Sequence, residues 1–321
     1  MTSRPLDERV ARGIAFLRHR QEPTGEFAIQ LWSEGSDSRV RDHAVMVTAC
    51  VLYALRFVDP STVADITAAA IRFLIGEMRP PGVWRYWTAA SGKAIDPDLD
   101  DTALLSFVLR SHHPHIALGS NIEAILAARD RDGLFQTWLR STDRANDVDA
   151  VVNANVVLHL GERRETEAAC DYLCACVLSG QEAGAYWYYV DDSALHYAIS
   201  RALWHRVRAL CDLRAALIEK ALGRQRLDGS FGDELCTAWT LSTLINAGSE
   251  DREAVSAAVG SLLARQQADG GWRSVAAFAG PEPPGPRTLR WGSEELTTAA
   301  CVEALARVCS SRAVESTRGL M

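Results

Sequence analysis

The feature that most limits what this chain can fold into is a turn repeated six times. A glycine followed within three residues by an aromatic ring recurs at Gly25-Glu26-Phe27, Gly82-Val83-Trp84, Gly133-Leu134-Phe135, Gly184-Ala185-Tyr186-Trp187, Gly229-Ser230-Phe231 and Gly271-Trp272. Aspartate stands just before the glycines at Asp132-Gly133, Asp228-Gly229 and Asp269-Gly270-Gly271, a helix stop that lets glycine take a positive φ. The stretches ahead of these turns, such as 7–20, 63–78, 166–178 and 252–267, are charged on one side and read as outer helices. Those after them, 44–58, 102–109, 151–160, 194–203, 237–247 and 297–308, are apolar nearly all round and belong inside. Six outer–inner pairs, each needing a neighbour to cover its apolar face, close into a ring. The predicted fold is therefore all-α, an (α/α)6 barrel of six helical hairpins around an axial cavity, in a single domain spanning 1–321.

No strand is expected: alternating runs are absent, and Trp187-Tyr188-Tyr189-Val190 is too short to found a sheet. The Pro/Gly-rich stretch 279–290 reads as a surface loop, with a lid over one barrel mouth as its functional role. Residues 311–321 read as a frayed tail. A net charge of −7 argues against nucleic acid as a partner. No apolar run reaches the ~20 residues of a spanning helix, and the start of the chain lacks the apolar core of a signal peptide. The expectation is a cytoplasmic protein without a transmembrane segment, with homo-oligomerisation left open. Most of the eight cysteines sit in apolar helical runs and read as core.

One inner helix begins unusually. Asp96-Pro97-Asp98-Leu99-Asp100-Asp101-Thr102 places four carboxylates in six residues before an apolar run. Asp96, with Pro97 as first helical residue, would serve as N-cap, leaving Asp98, Asp100 and Asp101 surplus. Carboxylates so crowded cannot all ionise cheaply once shielded from water. Either this is an over-acidic, solvated helix start, or one acid keeps its proton and can donate it.

Asp98-Leu99-Asp100-Asp101 at the head of an inner barrel helix resembles the Asp-x-Asp-Asp motif of class II terpene cyclases, the squalene–hopene cyclase-like family. The turns Gln266-Gln267-Ala268-Asp269-Gly270-Gly271-Trp272 and Arg224-Gln225-Arg226-Leu227-Asp228-Gly229-Ser230-Phe231 resemble that family's Gln/Trp repeats. The resemblance implies that Asp100 protonates an alkene, with Asp98 and Asp101 as its partners. Asn153 or Asn155 would support the acid where the family uses a histidine, and Thr102 would add a hydroxyl. The implied reaction is protonation of an isoprenoid alkene or epoxide and cyclisation through carbocations, on a C15 or C20 prenyl diphosphate or a related isoprenoid.

A carbocation needs electron-rich walls, and aromatic faces offer ~0.5–2 kcal/mol each. Trp84, Tyr86, Trp87, Trp187, Tyr189, Trp239 and Trp291 are the candidates, being near inner-helix starts. The protonation step needs no cofactor. If the substrate carries a diphosphate, Arg85, Lys93 and Arg290, with Arg201, are candidates for its oxygens, and Glu294 and Glu295 for a Mg²⁺ ion. Two other readings stay open, a non-catalytic isoprenoid-binding barrel and an α/α-barrel carbohydrate-active enzyme using paired carboxylates.

Overall fold

The computed structural model describes the backbone of residues 3–318 and the side chains of residues 6–310. Among the described residues twelve α-helices alternate between two concentric layers. The outer ones are α1 (Ser3–Arg20), α3 (Pro60–Glu77), α5 (Asn121–Ala127), α7 (Glu167–Ser179), α9 (Leu213–Leu222) and α11 (Arg252–Arg265). The inner ones are α2 (Val45–Leu55), α4 (Leu99–His112), α6 (Ala150–Leu160), α8 (Asp192–Trp204), α10 (Glu234–Ala247) and α12 (Glu294–Arg318). Each inner helix packs on the next, and α12 returns onto α2, so the ring closes as an (α/α)6 toroid. Where the frayed tail was expected over 311–321, the backbone continues α12 to Arg318; the side chains there and residues 319–321 lie outside the described residues. Among the described residues no helix is long and apolar enough to cross a membrane.

The repeated turn explains why the ring holds. In five repeats the aromatic after the glycine donates its backbone N–H to a side-chain oxygen of its inner helix. The pairs are Phe27 to Thr48 (3.0 Å), Trp84 to Thr102 (3.1 Å), Phe135 to Asn153 (3.0 Å), Phe231 to Thr237 (3.1 Å) and Trp272 to Thr298 (3.0 Å). Such bonds satisfy buried donors that leave regular structure at a turn. A glutamine then joins neighbouring repeats: Gln21 donates to the carbonyls of Gly25 and Ile66, and Gln225 to those of Gly229 and Ala254. Gln266 donates to the carbonyls of Gly270 and Arg9, and so fastens the last repeat to the first. Glycine is required where the turn presses on the next outer segment. At Gly82 (φ 109°) a Cβ would lie 1.8 Å from the Leu118 carbonyl oxygen, and at Gly270 (φ 98°) 2.5 Å from that of Arg12.

Two expectations are corrected. Four short strands are present: β1 (Ile29–Ser33), β2 (Val40–Asp42), β3 (Phe278–Gly280) and β4 (Leu289–Gly292). They form one antiparallel sheet in the order β2-β1-β4-β3, with Gln30 opposite Gly292 and Phe278 opposite Trp291. The stretch 279–290 is thus a hairpin whose irregular part is 281–288. Strands of three to five residues are too short for alternation to show, and the partner of β4 is at the other end of the chain. The Tyr188–Val190 segment also pairs with this hairpin, through Ala279 N–H to the Tyr188 carbonyl (2.8 Å) and Val190 N–H to that of Ala277 (3.2 Å).

The second correction is at the acidic helix start. Asp98, not Asp96, is the N-cap of α4, its carboxylate accepting the Asp101 N–H at 2.8 Å. Pro97 and Asp98 are held extended by the neighbouring turn, because Leu99 N–H reaches the Thr137 carbonyl and Leu139 N–H that of Pro97, both at 2.8 Å. Asp96 instead meets Arg144 at 2.6 Å.

Candidate active site

The hairpin covers one mouth of the barrel and encloses a cavity of about 500 Å³ with the start of α4. Its walls are the rings of Tyr86, Trp87, Trp138, Tyr188, Phe278 and Trp291, with Asp98, Asp100 and Asp101 at one side. The rings meet edge to face: Tyr86 lies 6.3 Å from Phe278 and 6.1 Å from Trp291, centroid to centroid. Deeper along the axis is a second chamber of about 30 Å³, bounded by Tyr53, Tyr189, Tyr197, Trp239, Arg201 and Glu303. Met46 and Phe278 line both spaces.

Asp100 is gripped from two sides. Its Oδ1 accepts the Asn155 amide at 2.6 Å and its Oδ2 the Tyr189 hydroxyl at 2.7 Å. Arg201 stands behind Asn155, donating to its Oδ1 at 2.8 Å. Burial raises the Asp100 carboxyl above the usual range, while Tyr189, Asn155 and Arg201 pull it back. The two opposing influences suit a strong acid: the dry surroundings keep the proton on, and two donors wait for the charge left after its departure. Its neighbours lack that support. Burial pushes Asp98 up to about 7, and Asp101 rises well above its ordinary value, driven by burial and by the negative charge of Asp98 and Asp100. Asp98 Oδ2 and Asp101 Oδ1 have no hydrogen-bond partner. Two carboxyls so close and so buried do not both ionise cheaply.

A stability prediction follows from this crowding. A carboxyl that binds its proton more tightly when folded contributes stability that is complete below its unfolded pKa of about 4 and is lost as pH rises through the folded value. Asp98 and Asp149, both pushed by burial up to about 7, should make the protein less stable as pH rises from about 4 to about 7. Asp98→Asn keeps a capping side chain and should flatten that decline. Urea midpoints at pH 5 and pH 8 measure it: the difference between them should shrink in the variant. A second prediction concerns Tyr189. Tyr189→Phe removes one charge-assisted donor from Asp100 and should lower kcat by about 10- to 100-fold, with KM little changed. Steady-state kinetics with the substrate found by the assay described below check it.

The structure sorts the expected residues. Asp98, Asp100, Asp101, Tyr86, Trp87, Lys93 and Trp291 line the main cavity, and Tyr189 and Trp239 the deeper chamber. Of the two asparagines it is Asn155 that touches Asp100. Asn153 holds the turn at Phe135, and Thr102 the turn at Trp84, so neither hydroxyl nor amide supports the acid as expected. Trp84 is fully buried between helices, its indole donating to the Leu74 carbonyl at 2.7 Å, and does not face the cavity. Trp187 lies outside both spaces and donates to the Pro281 carbonyl at 2.8 Å, holding the hairpin.

The expected diphosphate group also separates. Arg85 and Arg290 do not line the cavity; Arg290 pairs with Glu34 at 2.8 Å. Arg201 is in the acid's support, buried in the barrel. Glu294 and Glu295 are bound by Arg20 at 2.6 Å and 2.9 Å, on the α1 side, and do not fit the Mg²⁺ role expected of them. Among the described residues no group of three or more His, Cys, Asp or Glu side chains is placed to hold a metal ion.

Sequence reasoning missed Phe278 and gave Arg201 another task. Phe278 sits in a segment with no periodic signal, and Arg201 on a helix where a single arginine among apolar residues was the only hint.

No protein-family model and no curated protein matches the chain. Solved structures do: the toroid is the fold of type II terpene cyclases. MstE from Scytonema, a type II terpene cyclase, is 21% identical with a TM-score of 0.78, over 97% of this chain and 99% of that one. The ent-copalyl diphosphate synthase of Streptomyces platensis is 20% identical with a TM-score of 0.61, over 82% of this chain and 50% of that one. The fold is not confined to such enzymes, since a possible member of the GH105 family from Salmonella enterica is 12% identical with a TM-score of 0.61, over 97% of this chain and 95% of that one.

Proposed function

We propose that this protein is a protonation-initiated terpene cyclase acting on an isoprenoid of about C15 or C20. Asp100 gives its proton to a terminal alkene or epoxide, and the cation that forms closes rings inside the aromatic cavity before losing a proton or taking up water. The observation that carries this reading is the Asp100 carboxyl itself, half-buried, held by Tyr189 and Asn155, and set at the edge of an aromatic cavity. Protonating an unactivated alkene demands a strong acid and a dry, non-nucleophilic wall. The faces of Tyr86, Trp87, Trp138 and Trp291 would stabilise positive charge by ~0.5–2 kcal/mol each. At about 500 Å³ the cavity falls in the usual range for a small-molecule site.

The MstE structures support the choice of substrate class, because one is described in complex with its substrate geranylgeranyl dihydroxybenzoate and another with the product merosterolic acid A. A glycan-cleaving role is disfavoured by the placement of the acids. Glycoside hydrolysis uses two carboxylates flanking the scissile bond, whereas these three crowd one helix start. The test is incubation with C15 and C20 isoprenoid alcohols, phenyl ethers and diphosphates, with and without Mg²⁺, followed by mass spectrometry. Cyclised isomers of unchanged mass, or hydrated ones, are expected. Tight binding of an isoprenoid with no product would favour the non-catalytic barrel instead.

A further inference from the structure

We infer that the isoprenoid taken by this site carries an uncharged head group, an alcohol or a phenol, and that the site discriminates against a diphosphate. The inference rests on the cyclase reading above and turns on charge. The side chains lining the main cavity bring four carboxyls, Asp98, Asp100, Asp101 and Glu282, against one cation, Lys93.

Lys93 is already engaged. Its Nζ lies 2.8 Å from Asp42 Oδ2 and 4.8 Å from the centre of the Trp87 ring. The Asp42 side chain is only 4% exposed, and the same oxygen accepts the indole N–H groups of Trp87 and Trp291, each at 3.0 Å. Drawing Lys93 toward a phosphate would leave a buried carboxylate with two indoles alone, and an unpaired buried charge is expensive.

Three arginines around the hairpin are occupied in the same way: Arg140 pairs with Glu282 at 2.8 Å, Arg144 with Asp96 at 2.6 Å and Arg290 with Glu34 at 2.8 Å. Arg287 does not line the cavity; it donates to the Tyr189 carbonyl and covers the Trp187 ring. A diphosphate entering here would have to break one of these pairs or sit beside Glu282 and the Asp98–Asp101 cluster with no lining cation of its own. It would also raise the pKa of Asp100 further and weaken the acid. A neutral head group meets neither obstacle: the Tyr188 hydroxyl on the cavity wall accepts the Trp138 indole N–H at 3.0 Å and donates to Asp147 at 2.8 Å, which leaves its oxygen one lone pair for a head-group hydroxyl.

Geranylgeraniol and geranylgeranyl diphosphate, each with Mg²⁺ present, give the test. Binding is measured by calorimetry on Asp100→Asn, in which turnover should be blocked, and turnover is measured on the unsubstituted protein. The alcohol should bind and react at least about tenfold better, a preference of the size that one unfavourable ionic contact produces. Glu282→Gln releases Arg140 to meet an anion and should narrow the preference. A diphosphate bound or cyclised as well as the alcohol overturns the inference while leaving the cyclase reading intact. If neither compound binds or reacts, the isoprenoid reading itself fails and takes the inference with it.

Discussion

Asp100→Asn should lower turnover by at least about 10³-fold while leaving the barrel folded, within the range that a positioned general acid supplies. An amide has no acidic proton to give, and no other carboxyl of the cluster has the support of Asn155 and Tyr189: Asp98 is committed to the α4 cap, and Asp101 Oδ1 has no hydrogen-bond partner. The fold should tolerate the change. Asparagine is nearly isosteric with aspartate, and it relieves the crowding that raises the Asp98 and Asp101 pKa values, so the melting temperature should hold or rise. The same logic sets the pH dependence. Burial raises the Asp100 carboxyl above the ordinary carboxylate range, so activity should fall as pH rises through its raised pKa and the proton is lost. Product formation followed by mass spectrometry, alongside circular dichroism, checks both points. A variant that retains activity refutes the assignment of the acid.

Trp272→Ala should cost about 3–5 kcal/mol, the usual toll of deleting a large buried aromatic. Trp272 is fully buried at the join between last and first repeats, its indole donating to the Leu262 carbonyl at 2.8 Å. A Cβ at Gly13 of α1 would come within 3.3 Å of its ring, so the tryptophan fills the space where α1 meets α12. The void would open at the seam of the toroid, where a ring has no neighbour to compensate. Trp84, its counterpart four repeats earlier, bonds the Leu74 carbonyl at 2.7 Å and should behave similarly. Urea unfolding followed by circular dichroism gives the magnitude, and a loss below about 1 kcal/mol would contradict this account of the seam.

These tryptophans mark what was legible along the chain. A turn glycine, its aromatic and the hydroxyl or amide that receives the aromatic's N–H lie within about one hairpin of each other. The helices and the crowding of Asp98, Asp100 and Asp101 were therefore visible in order. The expectations failed at Trp84, assigned to the cavity wall by its nearness to an inner-helix start, and at Thr102 and Asn153, given acid-supporting roles by the resemblance; the repeat uses all three as internal fastenings.

What the amino-acid sequence determined by itself is the ring and the presence of surplus acid at the head of one inner helix, because amphipathic periodicity and capping act over a few residues. What only the tertiary structure decided is which acid is ready to act and what encloses it. Asp100 is supported by Asn155 and Tyr189, 55 and 89 residues away, and the strand that covers the cavity pairs Trp291 with Leu31 from the opposite end of the chain. Contacts of that range leave no periodic trace; they exist only once closure of the barrel brings distant turns to the same mouth.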